Sequence, residues 1–288
     1  MSGNVRKSKW KRAKVPEPIV LQLRDKEIIA SVYEFEFLTR EQIQNLFNFH
    51  CTVRANIRLR KLFDHGYLSR RFLPTDRGSA KALYLLGLKG IQIVSEQSVE
   101  DPLEIKKKQQ KLLEKKDLFF SHDLMVNTVR LSFYRAFKNY DGLNLERWIS
   151  ASDCLQEISV YNQKLNREEK IIFRPDGYFR YVHNEKLYSC FIEMDMSTMS
   201  NNRFQSKVML YMKYAQSGFH QRRYGLKFFR VLTVTKTRER LCNLKAVTGK
   251  LTDKIFWFTT LANVTPDNIL GQIWERPRRD GNFSLLEG

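Results

Sequence analysis

Apolar residues in the first third of the chain recur at helical spacing and then switch to strand-like runs. Ile28, Ile29 and Val32 share one side of a helix predicted over residues 25–33. Thr39, with Gln42 three residues on, forms a capping box that starts a second helix burying Ile43, Leu46 and Phe47. Thr52 opens a third helix running to about His65, with Val53, Ile57, Leu62 and Phe63 expected to face inward. Gly66 then suits the left-handed position that closes many helices. Residues 67–72 and 81–86 read as strands around a turn cluster at 74–78, and residues 88–97 as a closing helix. Three helices followed by a β-hairpin predict a winged helix-turn-helix domain over residues 24–97.

Beyond residue 119 the apolar pattern is denser. A helix starting at Ser121 carries Leu124, Val126, Val129, Leu131, Phe133, Tyr134 and Phe137. Strands are predicted at 145–149 and 155–161, followed by a polar, turn-like stretch at 162–170. A hairpin is predicted from 176–182 and 187–195. A helix (204–216), a strand (226–235), a helix (238–247) and a strand (254–260) complete the pattern. That order implies a mixed sheet flanked by helices, so the expected fold class is α+β with two domains. Residues 1–23 hold Arg6, Lys7, Lys9, Lys11, Arg12 and Lys14 ahead of Pro16 and Pro18, and read as a disordered basic arm. Residues 98–118 crowd Lys106, Lys107, Lys108, Lys111, Lys115 and Lys116, and read as a lysine-rich linker or an exposed helix. The second domain is expected over 119–275 and a tail over 276–288.

Composition narrows the partner class. The 288 residues carry 50 Lys+Arg against 31 Asp+Glu, a formal charge of +19. A hydrophobic share of 42% excludes a mostly disordered chain. No apolar run approaches the ~20 residues that a membrane helix needs, so no membrane partner is expected. Cys51, Cys154, Cys190 and Cys242 stand singly, which argues against a zinc ribbon or disulfide framework and for a cytoplasmic setting. The excess of cations points to a polyanion, foremost double-stranded DNA. Arg54, Arg58 and Lys61 recur at i, i+4 and i+7 on the third helix, and Arg70, Arg71, Arg77 and Lys81 lie on the hairpin. Together they are the candidate DNA-binding residues.

Chemistry-bearing residues cluster later. Arg174-Pro175-Asp176-Gly177 precedes Glu193-Met194-Asp195, and Glu193 and Asp195 project from one face of their strand. Asp176, Glu193 and Asp195 could ligate Mg²⁺ or Mn²⁺; with Asp176 instead capping a turn, and Glu193 and Asp195 paired with cations such as Arg203 and Lys207, they would need no cofactor. The spacing resembles the PD-(D/E)xK nuclease core, in which a lysine two residues beyond the second carboxylate activates water. Here Asp195 stands at that position, and Lys207 on the next helix is the substitute. The candidate catalytic set is Asp176, Glu193, Asp195 and Lys207.

The combination of a winged helix, Ser121-His122-Asp123-Leu124, Arg-Pro-Asp-Gly at 174–177 and Phe-Ile-Glu-Met-Asp-Met-Ser-Thr at 191–198 resembles the replication-relaxation family. Arg203-Phe204, Lys207 and residues 211–214 extend the likeness. Members are encoded by plasmids, conjugative elements and phages. The resemblance implies a nuclease-like second domain and a DNA-binding role in replication or relaxation at an origin or transfer site. A relaxase or replication initiator, or a second copy of the chain, is the protein partner it implies. Two alternatives stay open: a Mg²⁺-dependent endonuclease or nickase, and a winged-helix regulator of transcription or copy number. No P-loop and no His-hydrophobe-His motif with a nearby tyrosine is present, which argues against an ATPase and a rolling-circle relaxase.

Overall fold

A computed structural model describes residues 8–74, 80–98, 100–162 and 166–287. The fold is mixed α+β, and the chain divides into two compact units, Met1–Asn127 and Thr128–Gly288.

The first unit contains α1 (Leu23–Glu34), β1 (Leu38–Thr39), α2 (Arg40–Leu46), α3 (Thr52–Asp64), β2 (Leu68–Phe72), β3 (Ala82–Leu86), α4 (Leu88–Gln97) and α5 (Pro102–Glu114). It also takes the first part of α6 (Asp117–Asn139), within which the division falls. The capping box of α2 forms as expected: Gln42 N–H donates to Thr39 Oγ1 at 3.2 Å, and Thr39 N–H donates to Gln42 Oε1 at 2.9 Å. The three strands pair antiparallel in the order β1-β3-β2. Ile28, Ile29, Val32, Ile43, Leu59, Leu62, Leu83 and Leu85 are fully buried between helices and sheet. Gly66, at φ +84°, ends α3 in the left-handed region. Gly87 passes so close that a Cβ there would lie 2.2 Å from the Gly66 carbonyl oxygen.

Three expectations for this unit are corrected. Val53 and Ile57 do not face inward on α3; they are 64% and 54% exposed, and the buried stripe is Ala55, Leu59, Leu62 and Phe63. The stretch expected to be a linker or an exposed helix is largely helix α5, and one side of it is buried. Asp101 caps it by accepting from Leu103 N–H, and Ile105, Gln109 and Leu112 form a buried stripe at i, i+4 and i+7. The Gln109 side chain accepts the Leu86 N–H at 3.2 Å, while Lys106, Lys107, Lys108 and Lys111 stay exposed. Residues 8–22 are not a free arm either. The Trp10 ring centre lies 4.3 Å from that of Phe72, Ala13 N–H donates to Asp64 Oδ1 at 3.0 Å, and His65 Nε2 bonds the Glu17 carbonyl at 2.7 Å. Arg6, Lys7 and Arg77 lie outside the described residues.

The second unit adds β4 (Leu143–Ser150), α7 (Ala151–Cys154), β5 (Gln156–Asn162), β6 (Arg167–Phe173), β7 (Gly177–His183), β8 (Lys186–Asp195), α8 (Asn201–Gln216), α9 (Phe219–Tyr224), β9 (Arg230–Thr235), α10 (Arg238–Gly249) and β10 (Phe256–Thr260). Five strands form a mixed sheet in the order β10-β9-β8-β7-β4, parallel from β10 to β8 and antiparallel beyond. One face carries Tyr178, Phe191, Val231 and Phe256 against Phe204, Val208 and Tyr211 of α8 and Leu241 and Leu244 of α10. On the other, Phe133 and Phe137 of α6 meet Phe179 and Tyr181. The polar stretch expected as a turn, 162–170, gives its last four residues to β6, which pairs with β5 in a separate hairpin. The segment expected as a tail over 276–288 is packed against the second unit: Leu285 is fully buried, and Tyr181 O–H donates to its carbonyl at 2.9 Å. Among the described residues no helix is long and apolar enough to cross a membrane.

Candidate functional site

Register and alternation assemble one cluster in the second unit. Gly177 of β7 pairs with Ile192 of β8, and Asp176 N–H donates to the Ile192 carbonyl at 3.1 Å. Asp176 therefore enters the sheet beside Glu193. Its Oδ2 accepts the Met194 N–H at 2.8 Å, which fixes the carboxylate at the strand edge. Glu193 alternates with Ile192 and Met194 and so points to the α8 side. Lys207 and Tyr211, four residues apart on the inner face of α8, both reach it: Lys207 Nζ donates to Oε2 and Tyr211 O–H to Oε1. Ser200 caps α8 by accepting the Arg203 N–H, setting the helix's start and thereby its register over the sheet.

The electrostatics follow from burial. Glu193 is 3% exposed, and desolvation pushes its carboxyl up to about 7, opposed by Lys207 and reinforced by Asp176. Burial works against the charge on Lys207, but Glu193 and Asp176 outweigh it and hold its pKa above the ordinary lysine value. Tyr211 is pushed well above the usual tyrosine value by burial and then by Glu193, so it remains a donor.

Asp195 does not join this cluster as a third ligand. Arg240, from the first turn of α10, takes both its oxygens, Nε to Oδ1 at 2.8 Å and Nη2 to Oδ2 at 2.9 Å. The same guanidinium donates to the Met199 carbonyl at 2.6 Å and to Asn201 Oδ1 at 2.8 Å. Ser197, in the left-handed region at φ +64°, donates its N–H to Asp195 Oδ1 at 2.9 Å. Arg240 thus clasps the whole β8–α8 connection. Among the described residues no group of three His, Cys, Asp or Glu side chains could hold a metal ion. The three-carboxylate ligand set expected from sequence is reduced to Asp176 and Glu193, a pair compatible with Mg²⁺, which commonly uses one or two carboxylates plus waters.

In the first unit the expected DNA-binding cations divide sharply. Arg54 and Lys81 are exposed. Arg58 instead grips the fully buried Asp25, with Nε to Oδ1 at 2.6 Å and Nη2 to Oδ2, and also donates to the Val20 carbonyl at 2.8 Å. Lys61 reaches the Pro18 carbonyl and lies 3.6 Å from Glu17. Arg70 packs its guanidinium 4.0 Å above the Phe63 ring, and burial lowers its pKa. Arg71 bonds the Leu113 carbonyl at 2.6 Å and Asp117 at 2.8 Å. Four of the expected surface cations are therefore engaged within the fold.

The sequence model of the replication-relaxation family matches residues 29–230, well over half of the chain. The chain belongs to the replication-relaxation family. The replication-relaxation match takes in α2, α3, Asp176, Glu193, Asp195 and Lys207, and it ends before Arg240. No curated protein matches. Two solved chains of the restriction endonuclease FokI, one alone and one bound to DNA, share 12% and 13% identity with TM-scores of 0.27 and 0.24. Each alignment covers 83% of this chain but only 42% and 43% of those chains. TM-scores at this level do not establish a common fold.

Tyr211 and Arg240 are the site residues that sequence reasoning missed. Tyr211 had a signal, the i+4 spacing from Lys207. Arg240 had none, because its partner lies 45 residues earlier.

Proposed function

We propose that this replication-relaxation protein binds double-stranded DNA in the replication or relaxation of a plasmid or other mobile element. In this reading α2 and α3 are the helix-turn-helix of a winged-helix module and β2–β3 is its wing. The carrying observation is α3. It follows a short capped helix, buries Ala55, Leu59 and Leu62, and turns Val53, Arg54 and Ile57 outward in a chain of charge +19. Binding through phosphates releases counterions, so log K should fall by roughly 0.9 per contact per decade of salt. Titration of a fluorescent duplex with the full chain between 50 and 200 mM salt, as a practical range, tests this. Absent binding, or binding flat with salt, rejects it. Arg54→Ala should weaken binding with the fold intact.

A second reading, a Mg²⁺-dependent endonuclease or nickase, is favoured by one observation: Asp176 beside Glu193, with Lys207 on Glu193. Asp176 and Glu193 would hold the cation, which when bound would lower the pKa of a water and stabilise charge on a phosphate. Lys207 keeps a positive charge in the cluster, and Tyr211 orients Glu193. Nicking of supercoiled plasmid in Mg²⁺ or Mn²⁺ by the wild type, lost in both Asp176→Ala and Glu193→Ala, supports this reading. No nicking, or equal nicking by all three, rejects it.

A further inference from the structure

The exposed face of α3 combines features that a solvated helix does not need. Val53 and Ile57 lie one turn apart and are 64% and 54% exposed, although β-branched side chains are mediocre helix formers. The buried stripe of the helix is complete without them. Arg54 lies beside them, and Ile57 and Arg54 line a cleft of about 300 Å³ with Arg24, Phe49 and His50. Arg24 stacks over Phe49 at 4.3 Å, so even the aromatic wall of the cleft presents a cation. An occupant of this face must be anionic around an apolar strip about one helical turn long.

Duplex DNA supplies that pattern in the major groove. Phosphates flank the groove on both sides, and the C5-methyl of thymine is the apolar group on its floor. Side chains at i and i+4 are separated by about 6 Å along the helix axis, against about 3.4 Å per base step. Two thymines within about two steps of each other match that separation.

We propose that Val53 and Ile57 read thymine methyl groups, giving the protein a preference for two closely spaced T·A pairs beside the Arg54 contact. The proposal rests on the DNA-binding reading above and deepens it. Burying a methyl group contributes on the order of a fourfold change in affinity.

The test uses the full chain. A tight-binding duplex is first selected from a random pool. Each thymine in it is then replaced singly by deoxyuridine, which removes the methyl group and leaves the base-pairing edge unchanged. The wild type should lose about fourfold in affinity at two positions within about two steps of each other. Val53→Ala and Ile57→Ala should each become indifferent to the substitution at one of those positions. Their melting temperatures should match the wild type, because both side chains are exposed. A wild type indifferent to deoxyuridine at every position overturns the proposal and leaves DNA binding standing. Variants that keep full sensitivity at both positions do the same. Failure to select any duplex overturns both readings.

Discussion

Arg58→Ala separates the two roles that its sequence position suggests. As a DNA contact, Arg58 would be dispensable for folding. In the structure it is the main partner of Asp25, which is fully buried and otherwise accepts the Gln22 N–H at 2.7 Å. Truncation would leave a buried carboxylate with that one amide donor. Breaking a buried pair from one side costs about 3–5 kcal/mol. A unit of this size melts about 3–5 °C lower per kcal/mol, so the expected fall in Tm is about 9–25 °C. Thermal melting of the full chain by circular dichroism at pH 7 measures it. Asp25→Ala/Arg58→Ala should lose less than the sum of the single variants, because no orphan charge remains. Arg54→Ala, on an exposed side chain, serves as the control and should melt like the wild type. An Arg58→Ala protein melting within about 2 °C of the wild type would refute the structural role.

His220 is buried, donates from Nδ1 to the Leu226 carbonyl at 2.6 Å, and has its pKa lowered by burial to about 4. A depressed histidine is neutral in the folded state, so its contribution is present above about pH 6.5 and lost as pH falls towards 4, up to roughly 3 kcal/mol. Urea midpoints between pH 7 and 4 check this, and His220→Gln should show a shallower acid loss. Arg240→Lys keeps the charge but not the two-pronged geometry, so hydrogen exchange should quicken across residues 195–201; unchanged exchange there would remove the clasp. Tyr211→Phe takes one donor from a buried carboxylate and should cost about 1–3 kcal/mol in chemical denaturation. Trypsin acting on the native chain should spare Lys106 to Lys111, because α5 is docked; rapid cleavage there would restore the linker reading.

Local signals made much of this fold readable. The Thr39–Gln42 box, the Gly66 stop and the strand patterns around Asp176 and Glu193 act within a few residues, and all reappear in the structure. So does the inward face of α8, which delivers Lys207 to Glu193. Ion pairs across the fold were not readable. Arg58 finds Asp25 33 residues away, and Arg240 finds Asp195 45 away, because tertiary packing alone brings them together. A cation count therefore overstated the charge available to a ligand. The orientation of α3 failed for a different reason: small Ala55 belongs to the buried stripe, while larger Val53 and Ile57 do not. In α5 the buried stripe includes a glutamine, so the lysines dominated the pattern.

The closure of the second unit by its last residues has a consequence in time. Tyr181 and Arg230 both bond the Leu285 carbonyl, and Trp274 and Phe283 bridge to each other. During synthesis the 55 residues from Arg230 to Leu285 must follow before this closure can form. At about 5–20 residues per second, the interval is roughly 3–11 s. Throughout it, Tyr181 and Arg230 lack their final acceptor. A ribosome that stops short would release a chain whose second unit cannot seal, and such a product would be open to proteolysis.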